Sequence, residues 1–292
     1  MRTTILFIFS ALISISIRAQ EIKSYDLNVN IDVASKRIHV KGSMDVDFKT
    51  SDSISLVLWK SSSIHSIRSN QTQLTYNFDT IAPSPIMYIE QGRNLTVVKP
   101  AGSKQKQRVF VDYDCDMHNL VGWAKSFSDD WIELNFYCAW FPINGRNFTS
   151  NINVTIDDQY NVIGSGIVTK KKKYWKMKQA WSGFDNVIMA SRKLKTKVLD
   201  DKDIRIELDY ADLSESAADS ALAECKFTFN LFESLYGAKD KTNLKLVITP
   251  FAEGGGYSRK NFISWRTKKF NFDTRCGLSH EIGHFWWSGA NA

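Results

Sequence analysis

The sequence predicts a mixed β and α+β protein, with an antiparallel β domain over residues 20–203 and an α+β region over residues 204–292. Three observations predict this class. Apolar and polar residues alternate from Tyr25 to about Tyr210, the spacing then becomes helical, and a second helical segment follows two short strands near the end. Side chains alternate faces along a strand and repeat every 3.6 residues or so along a helix, so the change of period marks a change of architecture.

The first nineteen residues indicate a secretory signal that is removed from the mature chain. Arg2 supplies the positive start, an apolar run extends from Ile5 to Ile17, and the small residue Ala19 precedes Gln20. The run is shorter than the roughly 20 residues of a membrane-spanning helix, and an uncleaved anchor is the alternative. We expect an exported protein, periplasmic or extracellular, without a transmembrane segment once the signal is removed.

The alternation is clearest in the first two predicted strands, "YDLNVNIDV" and "IHVKGSMDVDF", which the turn "ASKR" separates. Each has one apolar face, formed by Leu27, Val29, Ile31 and Val33 in the first and by Ile38, Val40, Met44, Val46 and Phe48 in the second. Similar short runs bounded by turn-forming residues recur up to "IRIELDY". Strands with one apolar face favour a large, mostly antiparallel β domain.

The region after Tyr210 predicts helix, strand, loop, strand and helix. Apolar residues at 218, 222, 225, 229, 232 and 236 form one helical face, beginning near Ser214 or Ser216 and ending at Gly237. "NLKLVIT" and "FISW" are predicted strands, and the glycine-rich "PFAEGGGYSRKN" between them is a predicted loop. A final helix is expected to begin at a cap formed by Asp273 or Thr274.

Charge and cysteine content exclude some classes of function. The net charge is +7, of which the signal contributes Arg2 and Arg18, so the mature chain is only mildly basic and we expect no nucleic-acid partner. A Cys115–Cys138 bridge is one possibility in an oxidising compartment, and Cys225 is expected to be buried in the helix. The absence of a C-x-x-C pair argues against a structural zinc site built from cysteine.

The segment "SHEIGHFWW" carries the chemistry. His280 and His284 are four apart, so on a helix they project from one face and can bind a single zinc ion. Glu281 lies beside them and would take a proton from a water molecule attacking a carbonyl, then give it to the leaving amine. The alternative is that two structural histidines fall at this spacing by chance.

Residues 280–289, "HEIGHFWWSG", resemble the H-E-x-x-H-x-W-F/W-G signature of aminopeptidase N-like zinc peptidases, a gluzincin family. The first strands are similar to those of the family's N-terminal β-saddle domain, which a thermolysin-like catalytic domain follows. The resemblance implies a β-saddle-like domain over residues 20–203 and the N-terminal part of a thermolysin-like domain over residues 204–292. It also implies one Zn²⁺ ion on His280 and His284, with Glu281 as general base.

The same resemblance implies that the metal site is incomplete. The family's third ligand is a glutamate separated by eighteen residues from the second histidine, and its transition-state tyrosine lies further on. Only eight residues follow His284. We therefore expect the third ligand beyond the chain end, and this chain to be an N-terminal fragment with weak activity or none.

The amine-recognition motif departs from the family pattern. Family aminopeptidases carry Gly-Ala/Gly-Met-Glu-Asn upstream of the zinc helix, and the glutamate binds the free α-amine of the substrate. The corresponding residues here are Gly255, Gly256, Tyr257, Ser258 and Arg259. Ser258 replaces the glutamate, and Arg259 brings a positive charge that would repel an ammonium group.

Three further readings of this loop stay open. Glu253 could substitute for the missing glutamate if the loop places it in the cleft, and the glycines could let an extended peptide bind as an added strand. The segment could also be an ordinary flexible loop. The sequence thus predicts an exported zinc metallopeptidase acting on a peptide or protein substrate, with atypical amine recognition. The alternatives are a noncatalytic exported peptide- or protein-binding module and a zinc hydrolase with a small non-peptide substrate.

Overall fold

The computed structural model describes residues 20–237, 242–251 and 255–287, which form strands, two α-helices and two single-turn 3₁₀ helices. The strands are β1 Glu21–Asp32, β2 Arg37–Asp47, β3 Ser53–Trp59, β4 Ser62–Ser69, β5 Thr72–Gln73, β6 Tyr76–Asp79, β7 Gly92–Val98, β8 Lys106–Asp116, β9 Trp131–Leu134, β10 Phe148–Thr155, β11 Asn161–Gly164, β12 Ile167–Lys170, β13 Trp175–Gly183, β14 Ile188–Ser191, β15 Lys195–Asp200, β16 Ile204–Tyr210, β17 Thr242–Thr249, β18 Gly256–Arg259 and β19 Phe262–Arg266. The helices are α1 Glu215–Tyr236 and α2 Phe272–Trp287, and the 3₁₀ turns are Gly122–Ala124 and Phe136–Cys138.

The predicted first hairpin is confirmed. β1 and β2 are antiparallel, with Val29 opposite Val40 and Ile31 opposite Ile38. The alternating apolar residues of both strands are buried, whereas their neighbours along each strand are mostly more exposed. The period-two pattern therefore identified the face that packs into the core.

The β region contains one eight-stranded sheet and two three-stranded sheets. Their strand orders are β12-β13-β10-β1-β2-β8-β4-β5, β11-β14-β9 and β3-β7-β6. Pairing is antiparallel throughout these sheets except between β1 and β10, which run parallel over Ser24–Asn30 and Thr149–Thr155. The prediction of a mostly antiparallel region is confirmed.

A second sheet and core follow in the chain. The five strands β15-β16-β17-β19-β18 form a mixed sheet, and α1 and α2 cover it. The apolar face predicted for α1 is buried at Ala218, Leu222, Cys225 and Phe229, but Tyr236 at its end is exposed. As predicted, Ser214 caps the helix by accepting the Ala217 N–H, and Gly237 ends it at a φ of 97°.

The predicted boundary at residues 203 and 204 lies between two paired strands. β15 ends at Asp200 and β16 begins at Ile204, and the two are antiparallel neighbours in the five-stranded sheet. The division into domains at this point stays a prediction. Residues 1–19 lie outside the described residues, and no helix among those described is both long and apolar enough to cross a membrane.

Two local expectations near the end of the chain were wrong. The segment predicted as a loop contains β18, which pairs antiparallel with β19 from Gly256 opposite Trp265 to Arg259 opposite Phe262. The cap of α2 is Asn271, whose side-chain oxygen accepts the Thr274 N–H at 3.0 Å, and not Asp273 or Thr274. Backbone pairing to β19 thus overrides the local preference of the glycines for a turn.

The disulfide considered from the sequence is not formed. Cys115 and Cys138 are both buried free thiols, and Cys138 lies in a 3₁₀ turn instead of a strand. Each has its own polar neighbour: Cys115 Sγ lies 3.1 Å from Ser62 Oγ, and Cys138 Sγ donates to the Asn135 carbonyl. Cys225 is buried, as expected from its place on α1.

Candidate metal centre on helix α2

α2 exposes its two histidines together. His280 and His284 lie one helical turn apart, both are exposed, and their ring centroids are 4.9 Å apart with the planes nearly perpendicular. One nitrogen from each ring could therefore reach a shared ion. In the described part of the chain, no other His, Cys, Asp or Glu completes a three-residue cluster with these two.

Glu281 lies on the inner side of the helix and has a fixed partner. Glu281 is 6% exposed, and its Oε2 accepts a hydrogen bond from the Ser258 hydroxyl at 2.8 Å. The same hydroxyl oxygen lies 2.7 Å from the Glu281 carbonyl oxygen, so one proton is shared between two acceptors. Ser258 therefore orients the only acidic side chain beside the histidine pair on α2.

Two glycines allow β18 and α2 to pack closely against the indole of Trp265 on β19. A Cβ on Gly256 would lie 2.4 Å from Trp265 Cε3, and one on Gly277 would lie 1.9 Å from Trp265 Cη2. Any side chain at either position would displace the indole or the backbone. The two glycines thus bring Ser258 and Glu281 within hydrogen-bonding distance.

α2 is also held by α1. Thr228 Oγ1 and Ser279 Oγ are 3.0 Å apart, next to the first histidine of the motif. Trp286 packs at 5.1 Å from Phe229, and Trp287 packs at 4.7 Å from Tyr236. These aromatic contacts position the end of α2 that carries His284, and they indicate a packing role for both tryptophans.

Arg259 is largely buried and is paired with a carboxylate. Its Nε donates to Asp185 Oδ2 at 2.8 Å and its Nη2 lies 2.7 Å from the same oxygen, while the guanidinium lies 4.5 Å from the Tyr257 and Phe184 ring centroids. Burial raises the pKa of the Asp185 carboxyl, and the guanidinium opposes that rise. The repulsion of an ammonium group predicted from the sequence assumed that the Arg259 guanidinium has no counter-ion. In the structure Asp185 is its counter-ion.

Tyr257 joins β18 to the β region through a buried carboxylate. Its hydroxyl donates to Glu133 Oε1 at 2.7 Å, and Asn135 Nδ2 donates to the same oxygen at 2.8 Å. Arg266 Nη2 lies 4.0 Å from the other oxygen of this fully buried glutamate. Burial and the nearby negative charge raise the pKa of Tyr257 well above its ordinary value.

Three residues of this network escaped the sequence analysis: Glu133, Asn135 and Asp185. A signal existed for Glu133, because it is the one charged residue in the apolar strand "WIEL", where no face is left for solvent. Of the residues predicted to bind substrate, β18 brings Gly256, Tyr257, Ser258 and Arg259 together beside α2. Gly255 precedes the strand and accepts the Arg266 N–H, and Glu253 lies outside the described residues.

No protein-family model and no curated protein matches the chain. Among solved structures, it is similar to an M1 zinc metallopeptidase from Deinococcus radiodurans, with a TM-score of 0.67 and 12% identity. Variant forms of such an enzyme bound to L-arginine and to a Tyr-Ser-Ala substrate give TM-scores of 0.65 and 0.63 at the same identity. Each match covers 92% of this chain and 65% of the solved one, so the chain spans about two thirds of their length. The fold, mostly β-sheet with two helices, resembles that of M1 zinc metallopeptidases.

Proposed function

We propose that the chain carries the N-terminal β domain and the beginning of the thermolysin-like catalytic domain of an exported zinc metallopeptidase that hydrolyses peptide bonds. The observation that carries the proposal is the arrangement on α2. Two exposed imidazoles lie on adjacent turns, and a buried carboxylate beside them is oriented by a hydroxyl from β18. The resemblance of the fold to M1 zinc metallopeptidases supports the same reading.

The residues fit zinc as two of its ligands. Imidazole nitrogen is a preferred zinc donor, and His280 and His284 present two such nitrogens on one exposed face. When bound, zinc would act as a Lewis acid toward the scissile carbonyl and acidify the attacking water. Catalytic zinc sites use three protein ligands, so we propose that zinc on this pair alone is substoichiometric and easily chelated.

Glu281 would act as the general base. Its carboxylate accepts one hydrogen bond from Ser258, which leaves acceptor capacity for a water molecule. It would take a proton from that water during attack and return it to the leaving amine. The Ser258 hydroxyl would hold the carboxylate in position through both transfers.

We further propose that a free α-amine is not required. At the position where the resemblance expects an amine-binding glutamate, Ser258 binds Glu281, and Arg259 is paired with Asp185. Neither side chain offers a free carboxylate to an ammonium group. Peptides with blocked amino termini should therefore be cleaved at rates comparable with free ones.

Metal binding and hydrolysis test the proposal separately. Equilibrium dialysis against Zn²⁺ should show that His284→Ala loses metal relative to the wild type, whereas His118→Ala, an exposed histidine elsewhere, does not. At high enzyme concentration, slow peptide cleavage should be abolished by Glu281→Gln with metal content unchanged. Equal product formation by wild type and Glu281→Gln would overturn the hydrolase and favour the noncatalytic peptide-binding module.

Export is proposed from the signal-like residues 1–19 alone. Expression of the whole gene in a secreting host should yield a product whose first residue is Gln20. A product that retains Met1 and stays inside the cell would contradict export without affecting the proposed chemistry.

A further inference from the structure

A second cluster of metal-binding side chains lies on the eight-stranded sheet. His39 projects from β2, His65 from β4, and Asp112 and Asp114 from β8, which lies between those two strands. One ligand atom each from His39, His65 and Asp112 lie within 4.8 Å of one another. The cluster is on the solvent-facing side, and both histidine side chains are nearly half exposed.

Strand register brings these residues together. In the β2–β8 pair, His39 lies opposite Asp114. In the β4–β8 pair, the register shifts between Ile64 and Ser66, so that His65 is the extra residue of a β-bulge. Bulges re-aim a side chain, and here the bulge allows the His65 ring to reach Asp114.

Asp114 orients both rings. Its Oδ1 accepts from His39 Nδ1 at 2.7 Å, and its Oδ2 accepts from His65 Nε2 at 2.9 Å. With those nitrogens donating, the lone pairs are on His39 Nε2 and His65 Nδ1. Metal-binding histidines commonly donate their second ring N–H to a carboxylate in this way.

The spacing of His39 Nε2 and Asp112 Oδ1 suits a transition-metal ion. His39 Nε2 and Asp112 Oδ1 are 3.4 Å apart, longer than an N–H···O hydrogen bond. Two atoms bound at about 2.0–2.1 Å in a tetrahedron are about 3.3–3.4 Å apart. Lys41 Nζ pairs with the other oxygen of Asp112 at 3.1 Å, which leaves Oδ1 available.

We propose that His39, His65 and Asp112 bind a divalent transition-metal ion, with zinc as the best fit, and that Asp114 positions both imidazoles. Two nitrogens and one carboxylate oxygen favour zinc over calcium or magnesium, which take oxygen ligands. Water would complete the tetrahedron. The site lies on the eight-stranded sheet, whereas α2 covers the five-stranded sheet, and it does not depend on the function proposed for His280 and His284.

The test uses the full chain with His280→Ala and His284→Ala, which removes the other histidine pair. Calorimetric titration with Zn²⁺, and Co²⁺ as a spectroscopic probe, should show one bound ion with a tetrahedral cobalt spectrum. Asp114→Asn should weaken Zn²⁺ binding by about 10–100-fold, as expected for loss of a group that orients the ligands. Adding His39→Ala or His65→Ala, which removes a ligand itself, should weaken Zn²⁺ binding more than Asp114→Asn does. Lys41→Met should strengthen binding several-fold, because it removes a positive charge beside the ion.

His118→Ala is the matched control. His118 is also exposed and also contacts an aspartate, Asp116, at 2.7 Å, but it lies outside the cluster. This variant should bind as its parent does. Equal affinities for the parent, His39→Ala and His65→Ala, or no bound ion at all, would overturn the site and leave a hydrogen-bonded surface cluster. Circular dichroism without metal checks that each variant is folded.

Discussion

The ion pair between Arg259 and Asp185 ties β18 to the segment before β14. Its stability contribution can be measured by replacing each partner with an apolar residue of similar size, as Arg259→Met and Asp185→Leu. Asp185 is fully buried and the Arg259 side chain is 10% exposed, so solvent screens the pair only weakly. Each single replacement leaves a buried charge without its partner.

The expected magnitude follows from that burial. Removing one member of a buried ion pair lowers the free energy of unfolding by about 3–5 kcal/mol, chiefly because the other charge is left without a partner. Arg259→Met also removes the cation–π contacts with Tyr257 and Phe184, which contribute about 0.5–2 kcal/mol each. The double variant has neither charge and should be destabilised less than either single variant, because replacing a buried pair by apolar residues is often near neutral.

Urea unfolding followed by tryptophan fluorescence at pH 7 gives the four free energies of this double-mutant cycle. Arg205→Met is a suitable control, since Arg205 Nη1 lies 3.5 Å from Glu207 in a partly exposed pair. Arg205→Met should lower the free energy of unfolding by less than about 1 kcal/mol. The reasoning would be refuted if the single variants lost as little unfolding free energy as the control. It would also be refuted if the loss in the double variant equalled the sum of the losses in the two single variants.

Three other contacts give expectations that one measurement each can check. Gly277→Ala should lower the free energy of unfolding by about 1–3 kcal/mol through the clash with Trp265, and an unchanged urea midpoint would contradict this. Burial raises the pKa of the Cys138 and Cys225 thiols to about 12 and that of the Cys115 thiol further, whereas Cys276 is exposed. A thiol reagent should therefore modify Cys276 alone in the folded chain and all four cysteines in urea. Mass spectrometry would count the modified cysteines. Hydrogen bonds from Lys197, Lys195 and Tyr210 lower the pKa of Glu215 to about 2. The stability it contributes is therefore complete above its ordinary pKa of 4.5 and lost as the pH falls toward 2, and the difference in urea midpoint between wild type and Glu215→Gln should shrink across that window.

Local patterns predicted the elements whose cause is local. The alternation around Val29 and Val40 identified a strand pair with one buried face, and the apolar spacing around Phe229 identified α1. Ser214 and Gly237 marked its ends because a cap depends on residues within one turn. The histidine pair was found in the same way, since spacing along one helix fixes its geometry.

Features that depend on distant partners could not be predicted. The glycines at and before β18 favour turns, so the local sequence predicts a loop, and only the pairing with β19 makes this segment a strand. The local sequence predicts a free charge at Arg259, because its partner Asp185 is far away in sequence. The parallel pairing of β1 with β10 has the same cause: nothing within either strand specifies a partner more than a hundred residues away.

The chemistry of β18 becomes coherent once these distant partners are known. Ser258 donates a proton toward the Glu281 carboxylate at 2.8 Å. This hydrogen bond orients the Glu281 carboxylate, as the role of general base that we propose for it requires. Tyr257 and Arg259, on either side of Ser258, bind Glu133 and Asp185, so β18 is fixed to the β region on both sides of the residue that orients Glu281.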